Sequence, residues 1–292
     1  MGRSFRPLLL LWTRLSLGLA ILHLPTPAQD DPKLQEALYR LVREAALFWQ
    51  TAPGFLGRET IHQQVLLVHR RRNGTIDPKR QDESRSQEIL SWYTLAAFRR
   101  APEALREFRR IYEIDGKPLE EESEAKSALV AQIKSRDDHI REELLKQFEN
   151  KSLAGTATDF GQLLLLFTKR NLDQYTFAQT TPSRVGADQA LVIAFQQVGG
   201  DQALRIVDGR KKVAQKLQGE ILVRQGDYLP LRITLNSTRE LKDNEIRDEA
   251  TLDYAVTQGA LLPASLTYRR SVNGGVVVES TYRYSGWERA GK

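Results

Sequence analysis

The chain reads as an α+β protein built on one curved antiparallel sheet of about ten strands, a half-barrel, with one N-terminal helix and a central helix pair packed on its concave side. Three observations predict this. From Gln174 onward apolar and polar residues alternate with period two, the mark of antiparallel strands with one face buried and one wet. Turn residues such as Asp208-Gly209, Gly226-Asp227, Gln258-Gly259 and Asn273-Gly274-Gly275 separate the alternating runs. Helical spacing is confined to the N-terminal region and to residues 120–167, so strands do not alternate with helices and a parallel sheet is disfavoured.

The first segment predicts export. Arg3, Arg6 and Arg14 precede the apolar run Leu15–Leu24, and Pro25-Thr-Pro-Ala28 follows it. A basic start, a short apolar run and a small exit residue are the parts of a secretory signal, with cleavage expected after Ala28. An uncleaved anchor would place Arg14 inside the roughly 20 apolar residues that a span requires, at a cost of several kcal/mol. The mature chain, 29–292, then forms a single half-barrel domain, secreted or periplasmic. Cleavage leaves 40 basic against 37 acidic residues, a formal +3 in place of +6.

Asp30-Asp31-Pro32 opens the first helix, an acidic cap followed by Pro, and Leu34, Leu38, Leu41, Val42, Ala45 and Phe48 share one face. Pro53-Gly54 ends it. Residues 55–70, 86–98 and 104–114 read as three strands; Ala101–Tyr112 also admits a helical start. Glu120–Asn150 returns to helical spacing with the stripe Leu129, Ile133, Ile140, Leu144 and Phe148. Thr158 or Asp159 is placed to cap a second central helix, with Gln162 bonding back, and Leu163–Phe167 is apolar on every side. Seven more strands follow, in which Leu217, Gly219, Ile221 and Val223 share one face, as do Leu229, Leu231, Ile233 and Leu235. So many antiparallel strands do not stay flat, and twist curls them into a partial barrel.

Chemistry-bearing patterns are sparse. The absence of Cys excludes disulfides, zinc–thiolate and iron–sulfur sites and a Cys nucleophile. His62 and His69 fall on opposite faces of one strand and cannot share a metal; His139 with Glu142 and Glu143 reads as a solvated helix face. No nucleophile elbow, phosphate loop or zinc-protease motif occurs. No cofactor and no metal are expected. The basic clusters 70–72, 99–100, 109–110, 210–212 and 269–270 read as solubilising charge rather than a nucleic-acid surface, with contact to anionic lipid headgroups as a secondary expectation.

One helix, three strands, a helix pair and then about seven strands behind a signal resembles, in element order, the periplasmic outer-membrane lipoprotein carrier and receptor families. That resemblance implies an unclosed antiparallel barrel, helices plugging its mouth and an apolar cavity for acyl chains. Four passages also look like a family of uncharacterised secreted bacterial proteins: LFWQTAPGFLGRETI at 47–61, RIYEIDGKPLEEE at 110–122, ATDFGQLLLLFTKRNLDQYTF at 157–177 and LDYAVTQGALLPASLTYRR at 252–270. This second resemblance implies no activity.

Together these readings give a non-enzymatic envelope protein that binds a lipid or an acylated protein in a half-barrel cavity. Parity assigns its wall to Phe167, Phe195, Ile206, Ile221, Ile233, Leu235, Leu252, Tyr254, Leu266 and Tyr282. Two alternatives stand beside it: a structural or protein-interaction module with a filled core, and a hydrolase using an unrecognised carboxylate pair. Neither the oligomeric state nor the ligand's identity follows from the sequence.

Overall fold

A computed structural model describes residues 31–67, 83–153, 155–200, 206–208, 211–213, 216–241 and 244–290. The expected leader, His69, the 70–72 cluster and Arg210 lie outside these residues. Helix α1 (Pro32–Thr51) is capped by Asp31, whose carboxylate accepts from the Lys33 N–H at 2.9 Å. Pro32 takes the first helical position, where its missing N–H would have had no helical partner. Strands β1 (Phe55–Leu67), β2 (Glu83–Phe98) and β3 (Ala101–Ile114) follow, with the two-residue β4 (Lys117–Pro118). Residues 101–112 are therefore strand.

Next come α2 (Glu122–Lys134) and α3 (Asp138–Lys151), where one long helix was expected. Ser135-Arg136-Asp137 breaks it: Ser135 Oγ accepts from Asp137 N–H, and Asp137 caps α3 by accepting from His139 N–H. Both side chains satisfy local backbone donors more readily than they continue a helix. The second central helix is replaced by a 3-10 turn at Leu163–Phe167. Asp159 caps nothing there, because its backbone is left-handed (φ 64°) and its side chain is drawn to β3.

The remaining strands are β5 (Tyr175–Gln179), β6 (Ser183–Val185), β7 (Asp188–Gln197), β8 (Ile206–Asp208), β9 (Lys211–Val213), β10 (Gln218–Arg224), β11 (Pro230–Leu241), β12 (Asn244–Thr257), β13 (Ala260–Val272) and β14 (Gly275–Arg289). Twelve strands form one open antiparallel sheet in the order β4-β3-β2-β1-β14-β13-β12-β11-β10-β7-β5, with β6 also on β7. Strands β8 and β9 make a separate ribbon. The sheet is not closed, and its first and last long strands are neighbours: β1 pairs β14 from Phe55↔Arg289 to Val65↔Val278.

One register line crosses the sheet on its inner face: Ile89, Ile61, Tyr282, Leu266, Leu252, Ile233, Ile221 and Ile193, from eight strands, stand side by side. None is more than 1% exposed. Helix α1 covers this face through Leu34, Ala37, Leu41, Ala45 and Phe48, joined by Phe160, Leu163, Leu164 and Phe167 of the segment after α3. Each fully buried Leu or Phe there contributes about 1.5–3 kcal/mol.

The central helices divide between the faces. Leu129 of α2 and Leu144 of α3 pack on the outer face against Trp92, Ala96, Phe98 and Phe108, whereas Phe148, one turn beyond Leu144, joins the inner core. Of the elements expected on the concave side, α1 and the 163–167 turn lie there, whereas α2 packs on the outer face and α3 reaches the inner core through Phe148. Elsewhere the outer face carries a small apolar cluster on β7, β10 and β11 and is laced by pairs such as Arg232–Asp253 and Arg269–Glu279.

Candidate functional site

Nine of the ten proposed wall residues come together. Phe167, Phe195, Ile221, Ile233, Leu235, Leu252, Tyr254, Leu266 and Tyr282 all belong to the inner core, none more than 6% exposed. Ile206 is the exception in placement, since it lies in the β8–β9 ribbon and not in the main sheet. Leu231, expected beside Ile233, faces outward with Ala190, Val192 and Leu222. A bulge in β11 inverts it: Arg232 pairs Leu222 and Pro230 pairs Val223, so Leu231 is the extra residue.

The described side chains of the inner face pack against α1 and the segment Phe160–Phe167. Beside Phe160, Leu217, Leu235, Ala250 and Tyr268 the packing leaves a depression of about 10 Å³, the space of one water. Pockets for lipid-sized ligands run to about 300–1,000 Å³. Two of the proposed wall residues hydrogen-bond to the covering segment. Tyr254 Oη accepts from the Leu164 N–H at 3.0 Å and donates to the Gly161 carbonyl at 3.4 Å, while Tyr282 Oη donates to the Ala157 carbonyl at 3.0 Å. Burial pushes both phenols well above their ordinary value.

Beneath this cover lies a buried ionic network. Arg109 Nε and Nη2 donate to Glu59 at 2.7 and 2.8 Å, and Nη2 also donates to Glu107 at 2.9 Å. Ser91 Oγ donates to Glu59 at 2.9 Å. Glu107 accepts further from Tyr93 Oη at 3.0 Å and from the N–H groups of Asp159 and Gly161, each at 2.6 Å. The Arg109 guanidinium lies 4.5 Å from the centre of the Phe148 ring. Gly161 has to be glycine here, because a Cβ would collide with Tyr93 Oη and Glu107. Asp159 completes the set, accepting from Glu107 N–H and pairing with Arg106 at 2.8 Å.

Three carboxyls thus face two guanidiniums, with Glu59, Glu107 and Arg109 buried and the Arg106–Asp159 pair at the partly exposed margin. Burial raises the Glu59 and Asp159 carboxyls above their usual values, against the lowering pull of Arg109 and Arg106 respectively. Burial alone would lower Arg109, but Glu107 and Glu59 hold its guanidinium well above its ordinary value. Chemically, the network is a latch: it binds the backbone of residues 159–161 to β1, β2 and β3. Glu59 and Glu107 are a carboxylate pair, but all four of their oxygens already accept hydrogen bonds. The signal was present in the sequence. Glu59 has the parity of Ile61, and Glu107 and Arg109 that of Leu105 and Ile111, so charges interrupt three inner-face positions.

On the outer face, His62, Gln64, Ser86, Glu88, Asp115, Glu279 and Thr281 border an open groove of about 380 Å³. His62 Nδ1 lies 3.0 Å from Glu88, and Glu279 is paired with Arg269. His139 lies 3.9 Å from both Glu142 and Glu143 on an exposed helix face. No cluster of three or more metal-ligating side chains occurs among the described residues. No described helix is long and apolar enough to cross a membrane.

No family model matches the sequence, and no curated protein matches it. Solved structures similar to the fold include two of bacterial origin. One is a DUF1329 family protein from Desulfovibrio piger ATCC 29098, with 10% identity and a TM-score of 0.34 over 87% of this chain and 92% of that one. The other is a domain designated an outer-membrane lipoprotein-sorting protein, from Vibrio parahaemolyticus, with 10% identity and a TM-score of 0.33 over the same shares. Neither structure supplies a residue role for this chain.

Proposed function

We propose that this is an exported, non-enzymatic protein of the cell envelope that acts through its outer surface, its half-barrel being filled by its own chain. The observation that carries this reading is the packing of the inner face, where Tyr254, Tyr282 and Glu107 bind the backbone of the covering segment and the depression beside Phe160 and Tyr268 holds about 10 Å³. Export rests on the basic, apolar and small-residue pattern of residues 1–28. A hydrolase centred on Glu59 and Glu107 is disfavoured, because neither carboxylate has a free oxygen for a substrate.

A carrier of a lipid or an acylated protein is the second reading, favoured by one observation. The buried face of α1 is entirely apolar, so a displaced α1 would bare a continuous hydrophobic surface for an acyl chain. Native mass spectrometry of the purified protein, with an organic extract of the same sample, separates the two. A surface-acting protein gives the bare polypeptide mass and a lipid-free extract. Lipid in near-equimolar amount would overturn that reading in favour of the carrier. The mature mass also tests cleavage after Ala28.

A further inference from the structure

We propose that Asn273 is a site of spontaneous deamidation, that the hydrogen bonds fastening its side chain to β12 set the rate, and that conversion loosens the β13–β14 hairpin. The inference stands apart from what the protein binds. Two Asn-Gly pairs occur in the sequence, Asn73-Gly74 and Asn273-Gly274, and the second lies among the described residues. It makes the whole turn between β13 and β14, since Val272 pairs Gly275 across it. Asn273 and Gly274 both have positive φ, 50° and 78°, as a type I′ hairpin turn requires, which is why Asn followed by Gly stands there.

The same dipeptide carries a reaction. Gly274 has no side chain to keep its peptide nitrogen from the side-chain carbonyl carbon of Asn273. That nitrogen gives its proton to solvent base and attacks Cγ; the N–Cγ bond forms, the Cγ–Nδ2 bond breaks, and ammonia leaves with a proton taken from water. Water then opens the succinimide ring at either carbonyl, giving aspartate or isoaspartate. No enzyme or redox partner is needed. Asn273 and Gly274 are exposed, and nothing lies within 4 Å of the place a Gly274 Cβ would take. Asn150, Asn171, Asn236 and Asn244 precede Lys, Leu, Ser and Glu, whose side chains crowd the attacking nitrogen.

The fold restrains the reaction through a clasp between two hairpins. Asn273 N–H donates to the Glu245 carbonyl at 2.8 Å, and Asn273 Oδ1 accepts from the Glu245 N–H at 2.8 Å. The side-chain carbonyl thus extends the β12–β13 ladder one step beyond the Ile246↔Val272 pair. Asn273 Nδ2 donates to Asn244 Oδ1 at 3.0 Å. Attack at Cγ requires the side chain to turn away from both partners. Conversion removes the Nδ2 donor and sets a carboxylate oxygen against Asn244 Oδ1, next to the exposed Glu245. The isoaspartate form also lengthens the main chain of a two-residue turn. Either product strikes the hairpin that delivers β14 to its place between β1 and β13.

The test holds the full chain in warm, mildly alkaline buffer, folded and, in parallel, unfolded in guanidinium chloride. Peptide mapping by mass spectrometry follows Asn273 apart from Asn73, the products being heavier by the difference between a hydroxyl and an amino group. Product at Asn273 should accumulate about ten- to a hundredfold more slowly in the folded chain than in the unfolded one, the protection expected when local opening must come first. Asn244→Ala removes the acceptor of Nδ2 and should raise the folded rate about threefold or more, with the unfolded rate unchanged. Equal rates in the folded and unfolded wild type, no product in the folded chain within that range, or a folded rate unmoved by Asn244→Ala would each overturn the proposal. Should Asn244→Ala fail to fold, the ratio of rates in the wild type decides alone. The converted protein, separated by its extra negative charge, should melt at a lower temperature than its parent; equal melting would overturn the loosening of the hairpin.

Discussion

Arg109 holds Glu59 through two hydrogen bonds, Nε to Oε2 at 2.7 Å and Nη2 to Oε1 at 2.8 Å, where neither side chain is more than 2% exposed. The guanidinium also serves Glu107, so it is the cation for two buried carboxylates. Replacing Arg109 by Met leaves both without it, and the expected loss of stability is about 3–5 kcal/mol. Glu59→Gln leaves Arg109 paired with Glu107 and should cost less. Urea unfolding of the two variants beside the wild type measures the difference. Equal losses would mean that the network is not organised around the arginine.

The same network gives the fold a pH dependence of definite sign. Glu59 and Asp159 have folded values raised above 4.5 and 3.8. The folded state therefore holds protons that the unfolded chain has released, and the slope of stability with pH is negative in that window. The contribution of these groups is complete below the ordinary carboxylate values and is lost as pH rises through the raised folded ones. Surface carboxylates such as Asp138 and Asp227, lowered by hydrogen bonds, contribute in the opposite direction. Urea midpoints from mildly acidic to neutral pH should therefore fall less steeply in Glu59→Gln than in the wild type. A difference that grows with pH in the other sense would contradict the assignment.

Leu252 and Leu231 look alike in the alternating pattern, yet one is central to the inner core and the other packs in a small outer cluster. Leu252→Ala should cost about 2–5 kcal/mol by opening a cavity in a packed layer. Leu231→Ala, at 8% exposure among only a few apolar neighbours, should cost clearly less. Thermal unfolding of the pair tests the bulge that sets them apart.

Tyr254→Phe removes one oxygen and leaves the buried Leu164 N–H without its acceptor. The expected cost is about 1–3 kcal/mol. Hydrogen exchange should quicken at Leu164 more than in β12 itself, because the hydroxyl holds the cover and not the strand. Unchanged protection at Leu164 would show that the cover is secured elsewhere.

The strands from β10 to β14 were legible because each has one buried face, so alternation and turn residues mark both the element and its side. The inward facing of nine of the proposed wall residues was legible for the same reason, and Leu231 escaped because a bulge shifts parity without altering composition. The break between α2 and α3 was hidden because the stripe Leu129, Ile133, Leu144 and Phe148 runs through it, while Ser135 and Asp137 act by local hydrogen bonds. Asp159 was misread as a helix cap, since a cap and a left-handed aspartate bonded to a distant strand use the same residue. Whether the face lined by Leu252 and Ile221 is hollow or filled depends on how α1 and Phe160–Phe167 fit across it, a matter of volumes that periodicity does not carry.

The pairing of β1 with β14 also sets an order of events. It is the seam between two meanders, β1 to β4 on one side and β14 back to β5 on the other, and it joins strands from opposite ends of the chain. During synthesis the earliest strand must wait for the latest, and such distant contacts fold slowly. A chain stopped before Gly275 would lose its middle rather than its margin, leaving β1 and β13 as bare edges, each 13 residues long. Exposed strand edges of that length recruit other chains, so in this protein a late truncation is an aggregation lesion as much as a loss of stability.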